Sequence, residues 1–126
     1  MASAISWFQI PATDIARAKR FYETVCGVRL EQVLASPGME MWAFPADWRR
    51  GEIGGALVCG EGAVPSAIGT AVFLDAGSDL QEMLDRVERA GGRVLIPKTA
   101  IDTEGAGYFA MIADTEGNTV GLHSRG

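Results

Sequence analysis

The chain has 126 residues, 48% of them hydrophobic and 21% charged, with a formal net charge of −5. That length suits one compact domain, and the composition excludes a disordered chain. The acidic balance argues against a nucleic-acid partner, because phosphate binding needs a basic face. No apolar run approaches the roughly 20 residues of a membrane span, so no membrane partner is expected. The opening stretch MASAISWF has neither a basic region nor a long apolar run, so no signal peptide is expected. Cys26 and Cys59 suit reduced thiols in a cytoplasmic protein, where each reads as a small buried hydrophobe.

In chain order, ISWFQI (Ile5 to Ile10) has the aromatic and β-branched content of a strand. PATD breaks it and opens a helix, with Thr13 or Asp14 placed to cap the first turn. Ile15, Ala18, Phe21, Tyr22 and Val25 recur at helical spacing, and Gly27 ends the helix. Three strand-like segments follow: RLEQVLA, MEMWAFP and GGALVCG. GTAVFLD (Gly69 to Asp75) opens a second half in the same way. Ser78 and Gln81 have the spacing of a capping box for a second helix. Leu80, Met83, Leu84, Val87 and Ala90 form its apolar face, and Gly91 and Gly92 stop it. RVLIPKT, GYFAMIA and NTVGLHS then read as three more strands.

Asp14 corresponds to Asp79, Ala18 to Met83, Gly27 to Gly92 and Leu30 to Leu95, always 65 residues apart. The chain therefore reads as a repeated strand–helix–strand–strand–strand module, about residues 1–62 and 66–126 of one domain. The expected fold class is α+β, with curled, mostly antiparallel sheets around a cavity and the helices outside.

IPATDIARAKRFYETVCG resembles the opening helix of the vicinal oxygen chelate superfamily, the glyoxalase, bleomycin resistance and extradiol dioxygenase group. VERAGGRVLIPKT and GYFAMIADTEGNTVGLHS resemble the matching parts of its second half. The resemblance spans nearly the whole chain. It implies paired βαβββ modules, a cavity between curled sheets, and a homodimer. It does not settle the chemistry, since one fold hosts several.

The resemblance also implies four positions at which relatives hold a divalent metal, on the first, fourth, fifth and eighth strands. Here they fall on Trp7, on Gly55 or Ala56, on Thr70 and on Gly121. An indole has no lone pair to give, glycine and alanine have no donor, and threonine is a poor ligand. No metal and no other cofactor is therefore expected. The one histidine, His123, lacks a histidine partner; by strand alternation it faces the same side as Gly121. The same alternation puts Trp7, Gln9 and Pro11 on one face, where the Gln9 amide can hold a ligand's carbonyl or hydroxyl. Trp42 and Tyr108 can line an apolar pocket with polar tips, and Glu40, two residues from Trp42, can be a cavity acid. The candidate ligand-binding set is Trp7, Gln9, Trp42, Thr70, Tyr108 and His123.

Three readings follow. The first is a metal-free member that binds a small molecule, with its catalytic status open. The second is a metal-dependent lyase of the lactoylglutathione lyase kind, or a dioxygenase, with atypical ligands. The third is an antibiotic-sequestering resistance protein with an acidic groove.

Overall fold

The computed structural model describes residues 3–33 and 37–126. Two modules follow one another. The first runs β1 (Trp7–Pro11), α1 (Ile15–Cys26), β2 (Glu31–Val33), β3 (Met39–Ala43), a 3-10 turn (Trp48–Arg50) and β4 (Gly54–Gly60). The second runs β5 (Phe73–Asp75), α2 (Gln81–Val87), β6 (Arg93–Ala100), β7 (Tyr108–Ala113) and β8 (Thr119–Ser124). Leu34 and Ala35 of the expected strand RLEQVLA lie outside the described residues.

The two four-stranded sheets have the same order, β1-β4-β3-β2 and β5-β8-β7-β6. The pairs β1–β4 and β5–β8 are parallel; the remaining pairs are antiparallel. The expected α+β architecture is thus present, as mixed sheets that stay open rather than closing into a barrel. Residues on alternate positions separate two faces. Ile10, Leu57, Leu74, Ala110, Ile112, Val120 and Leu122 join Phe21, Tyr22, Val25, Leu80, Leu84 and Val87 of the helices in one buried core. Gln9, Ala56, Gly121 and His123 fall on the opposite, open face by alternation.

Helix α1 starts where Asp14 accepts the backbone N–H of Arg17 at 3.0 Å, and it ends at Gly27 with φ 67°. The second helix is built differently. Ser78 and Gln81 do not form the expected capping box. The carboxylate of Asp79 accepts the Gln81 N–H, and the Ser124 hydroxyl accepts that of Leu80. The Gln81 side chain turns instead to Asp85, because the end of β8 already occupies the helix entrance. Gly27 and Gly92 are not equivalent either. Gly91 takes the left-handed conformation (φ 101°), while a Cβ on Gly92 would lie 2.5 Å from the Ala113 carbonyl. The fifth strand is shorter than GTAVFLD suggested. Gly69 has φ 105°, outside the range of an extended strand, and regular pairing begins at Phe73.

Register adds a further difference. Gln9 stands beside Ala56, and Phe73 beside Gly121. With β4 and β8 aligned at the 65-residue offset, β3 and β7 are offset by 68 and the edge strands β1 and β5 by 64. A one-residue slip exchanges the faces of a strand, so the positional counterpart of Gln9 is Phe73.

The turn Asp114–Asn118 joins the modules. The fully buried Glu116 side chain accepts the backbone N–H groups of Thr13 and Asp14, both at 2.9 Å, and the Arg17 guanidinium at 2.6 Å. Asn118 donates to the Pro11 carbonyl, and Tyr22 donates to Asp114 at 2.6 Å. DTEGN is therefore more than a hairpin turn. It caps α1 of the other module with a negative charge where the helix dipole favours one.

Candidate functional site

A cleft of about 1080 Å³ opens between the free edges of β1 and β5. Trp7, Gln9, Thr70, Phe73 and Asp75 line it, with Phe8, Cys26, Phe44 and Met83 deeper toward the helices. The edge strands supply the walls because each pairs on one side only, leaving its other side to the gap.

Trp7, at the first-strand position, lies over Gly54 and meets Trp48 edge-on, with ring centroids 6.4 Å apart. A Cβ on Gly54 would sit 2.9 Å from the Trp7 ring and 3.1 Å from that of Trp48. The glycine is what lets the two indoles close over the strand. On the opposite side of the molecule's pseudo-repeat, the Phe73 ring lies on Gly121, where a Cβ would come within 2.2 Å of it. An aromatic ring laid on a cross-strand glycine is a recognised way to cover exposed backbone. Phe8 does the same over Gly55, but toward the core. Of the two fourth-strand candidates, Ala56 is therefore the one on the open face, beside Gln9.

These residues do not fit a divalent metal. Trp7, Ala56 and Gly121 offer no donor, and the Phe73 ring occupies the space a side chain at residue 121 would need. Among the described residues, no three His, Cys, Asp or Glu side chains converge as a metal site would require.

The remaining candidates divide. Gln9 is exposed; among the described residues its amide makes one weak contact, with the Met41 sulfur at 4.0 Å. Its hydrogen-bonding groups stay available to a ligand. The expectation of a buried amide is corrected, because the cleft beside β1 is open. Thr70 lines the cleft from the exposed segment before β5, not from the strand itself. Trp42 and Tyr108 do not line it. Both pack against the helix-covered core, with Lys19 over the Trp42 ring at 4.9 Å and Lys98 over Tyr108 at 4.6 Å. Strand alternation leaves their face open; the pairing of Trp42 with the buried Leu57 decides it. Glu40 accepts the Trp42 indole N–H at 2.9 Å on that same side. His123 is on the face of Gly121 as expected, but its Nε2 lies 2.6 Å from the Ala106 carbonyl and it does not line the cleft.

Trp48, Phe73, Glu52 and Asp75 are absent from the set that the sequence suggests. The signal for Phe73 is a glycine in the last strand opposite an aromatic in the fifth, legible only once the register is known. Cys26 brings no nucleophile to the cleft. Burial, only partly countered by Arg86, raises its pKa to about 11, so it stays a thiol.

The family model for the Glyoxalase/Bleomycin resistance protein/Dioxygenase superfamily matches residues 4–122. No curated protein sequence matches the chain. Among solved structures, a glyoxalase/bleomycin resistance protein from Albidiferax ferrireducens is 20% identical. It aligns over 98% of this chain and 100% of its own, with a TM-score of 0.64. A genomically encoded fosfomycin resistance protein from Listeria monocytogenes is 14% identical over 98% of this chain and 92% of its own, with a TM-score of 0.65. A glyoxalase I mutant from Zea mays is 16% identical over 94% of this chain but 45% of its own, with a TM-score of 0.68. At these identities the likeness establishes a shared fold. No helix among the described residues is long and apolar enough to cross a membrane.

Proposed function

Because the chain belongs to the glyoxalase/bleomycin resistance protein/dioxygenase superfamily, we propose that it uses that scaffold as a metal-free receptor for a small apolar molecule. The ligand sits in the cleft between β1 and β5. One observation carries this reading: where the family resemblance implies metal ligands, this chain places aromatic rings on glycines, Trp7 on Gly54 and Phe73 on Gly121. An apolar cleft with a few polar groups is the usual form of a small-molecule site. Gln9 is the polar handle that orients the ligand, and Trp7 and Phe73 supply the contact area. The protein acts in the cytoplasm, in keeping with two free thiols, and as a homodimer.

The test is a thermal-shift screen of small aromatic and aliphatic compounds, run with and without chelator, beside elemental analysis of protein purified without chelator. The expected result is stabilising compounds whose effect ignores the chelator and is weakened by Gln9→Ala. About one equivalent of nickel, zinc, iron or manganese per chain, lost on mutation of Gln9, Glu40 or His123, would sink the reading in favour of a metal-dependent lyase or dioxygenase. Tight binding of a large cationic antibiotic would instead favour sequestration.

A further inference from the structure

The cleft has a chemical character beyond being apolar. Two of its rings, Trp7 and Phe73, come from opposite walls, and each is seated against a glycine that lets it approach the strand beside it closely. Aromatic rings on two walls favour a planar aromatic guest, through stacked or edge-on contacts. Among the described residues, no lysine, arginine or histidine lines the cleft, while two carboxylates, Glu52 and Asp75, do. Each carboxylate accepts one backbone N–H, from Asp47 and Gly77 respectively, and has a second oxygen to offer. The arginines of the adjoining turn are directed elsewhere: Arg49 lies over Trp48 at 5.0 Å, and Arg50 faces Asp47 at 3.5 Å. An anionic ligand would lose its hydration and find no cation in return, which is costly in a partly enclosed site. A cation would meet ring faces and carboxylates.

We infer that the cleft selects planar aromatic ligands that are uncharged or cationic, gripped by Trp7 and Phe73, and that it rejects carboxylate, phosphate and phosphonate ligands. This rests on the metal-free binding reading and specifies its ligand class.

Three probes sharing one ring system separate the charge states: N-methylquinolinium, quinoline and quinoline-2-carboxylate at pH 7. Binding is read by calorimetry and by quenching of tryptophan fluorescence. N-methylquinolinium and quinoline are expected to bind, with the carboxylate weaker than the cation by about tenfold or more. Trp7→Leu and Phe73→Leu each keep apolar volume but remove the ring, and each is expected to weaken quinoline by about threefold to tenfold. Phe73 is 50% exposed, so its replacement leaves the core alone, and melting curves verify the fold of both variants. Glu52→Gln with Asp75→Asn should narrow the gap between cation and anion. Equal or tighter binding of the carboxylate overturns the inference, as does indifference of quinoline to both leucine variants. No binding by any probe also overturns it. The broader reading falls instead to the metal analysis, so the two failures are told apart.

Discussion

Gly121 shows how one missing side chain can redirect a site. The position faces the open side of β8, and the Phe73 ring fills the volume above it. Gly121→Glu, which restores a carboxylate there, should therefore overpack the cleft and destabilise the protein by about 1–3 kcal/mol. In a Phe73→Ala background the penalty should shrink, because the ring is gone. Thermal denaturation of both single variants and the double variant measures that coupling; additive effects would show that the ring and residue 121 do not compete for space. Alternation along a strand is enough by itself to place Gln9 and His123 on the open face. It cannot place Phe73, because the one-residue change of offset between the edge strands turns the wrong residue outward. Nor can it tell that Trp42 and Tyr108 lie under the helices, since the face a strand buries is chosen by what packs on it.

At the scale of elements, the helix starts carry the pH dependence. Burial works to raise the pKa of Glu116, but the Arg17 guanidinium, the Asp14 N–H and the Thr115 and Thr13 hydroxyls outweigh it and hold the pKa at about 2. The unfolded value is 4.5, so this carboxylate favours the folded state fully above about pH 4.5. The contribution is lost as the pH falls through that value toward 2. Its size is on the order of 2 kcal/mol, since the Arg17 side of the pair is open to solvent screening. Melting curves between pH 7 and 2.5 should show wild type losing more stability on acidification than Glu116→Gln, which is less stable from the start. Parallel curves would mean the carboxylate's charge is not what holds the turn. Tyr22 belongs to the same clasp. Burial, then the Asp114 charge, pushes its pKa well up, so it remains a donor. Tyr22→Phe removes one of the donors to Asp114 and should cost about 1–2 kcal/mol, read by chemical denaturation. The α1 start is readable as a local motif at Asp14. The α2 start is only partly so, because Asp79 caps it locally but the Leu80 N–H is taken by Ser124, 44 residues away.

At the scale of the whole molecule, both sheets end in unpaired strands, and β6 carries Leu95 and Ile96, 42% and 40% exposed, on such an edge. Exposed edges and apolar surface invite pairing with a second copy. A two-fold homodimer should therefore sediment at twice the 13.4 kDa chain mass at micromolar concentration. Leu95→Lys with Ile96→Lys should shift the population toward monomer if β6 is the contact. A monomer in wild type would end the dimer proposal.

The order of strands and helices, and their repetition, are legible in the sequence because they rest on local chemistry: apolar periodicity, capping residues, and glycines where helices must stop. The unsuitability of Trp7 and Gly121 as metal ligands follows from residue type alone, once resemblance marks their positions. What stands in place of those ligands is settled only by the fold. The rings of Trp7 and Phe73 reach their glycines through cross-strand register, and register depends on pairing between residues more than 40 positions apart. The cleft itself lies between two strands that touch neither in sequence nor in hydrogen bonding. Its existence depends on how two modules pack through α1, α2 and the Glu116 clasp, and no local pattern encodes the width of a gap.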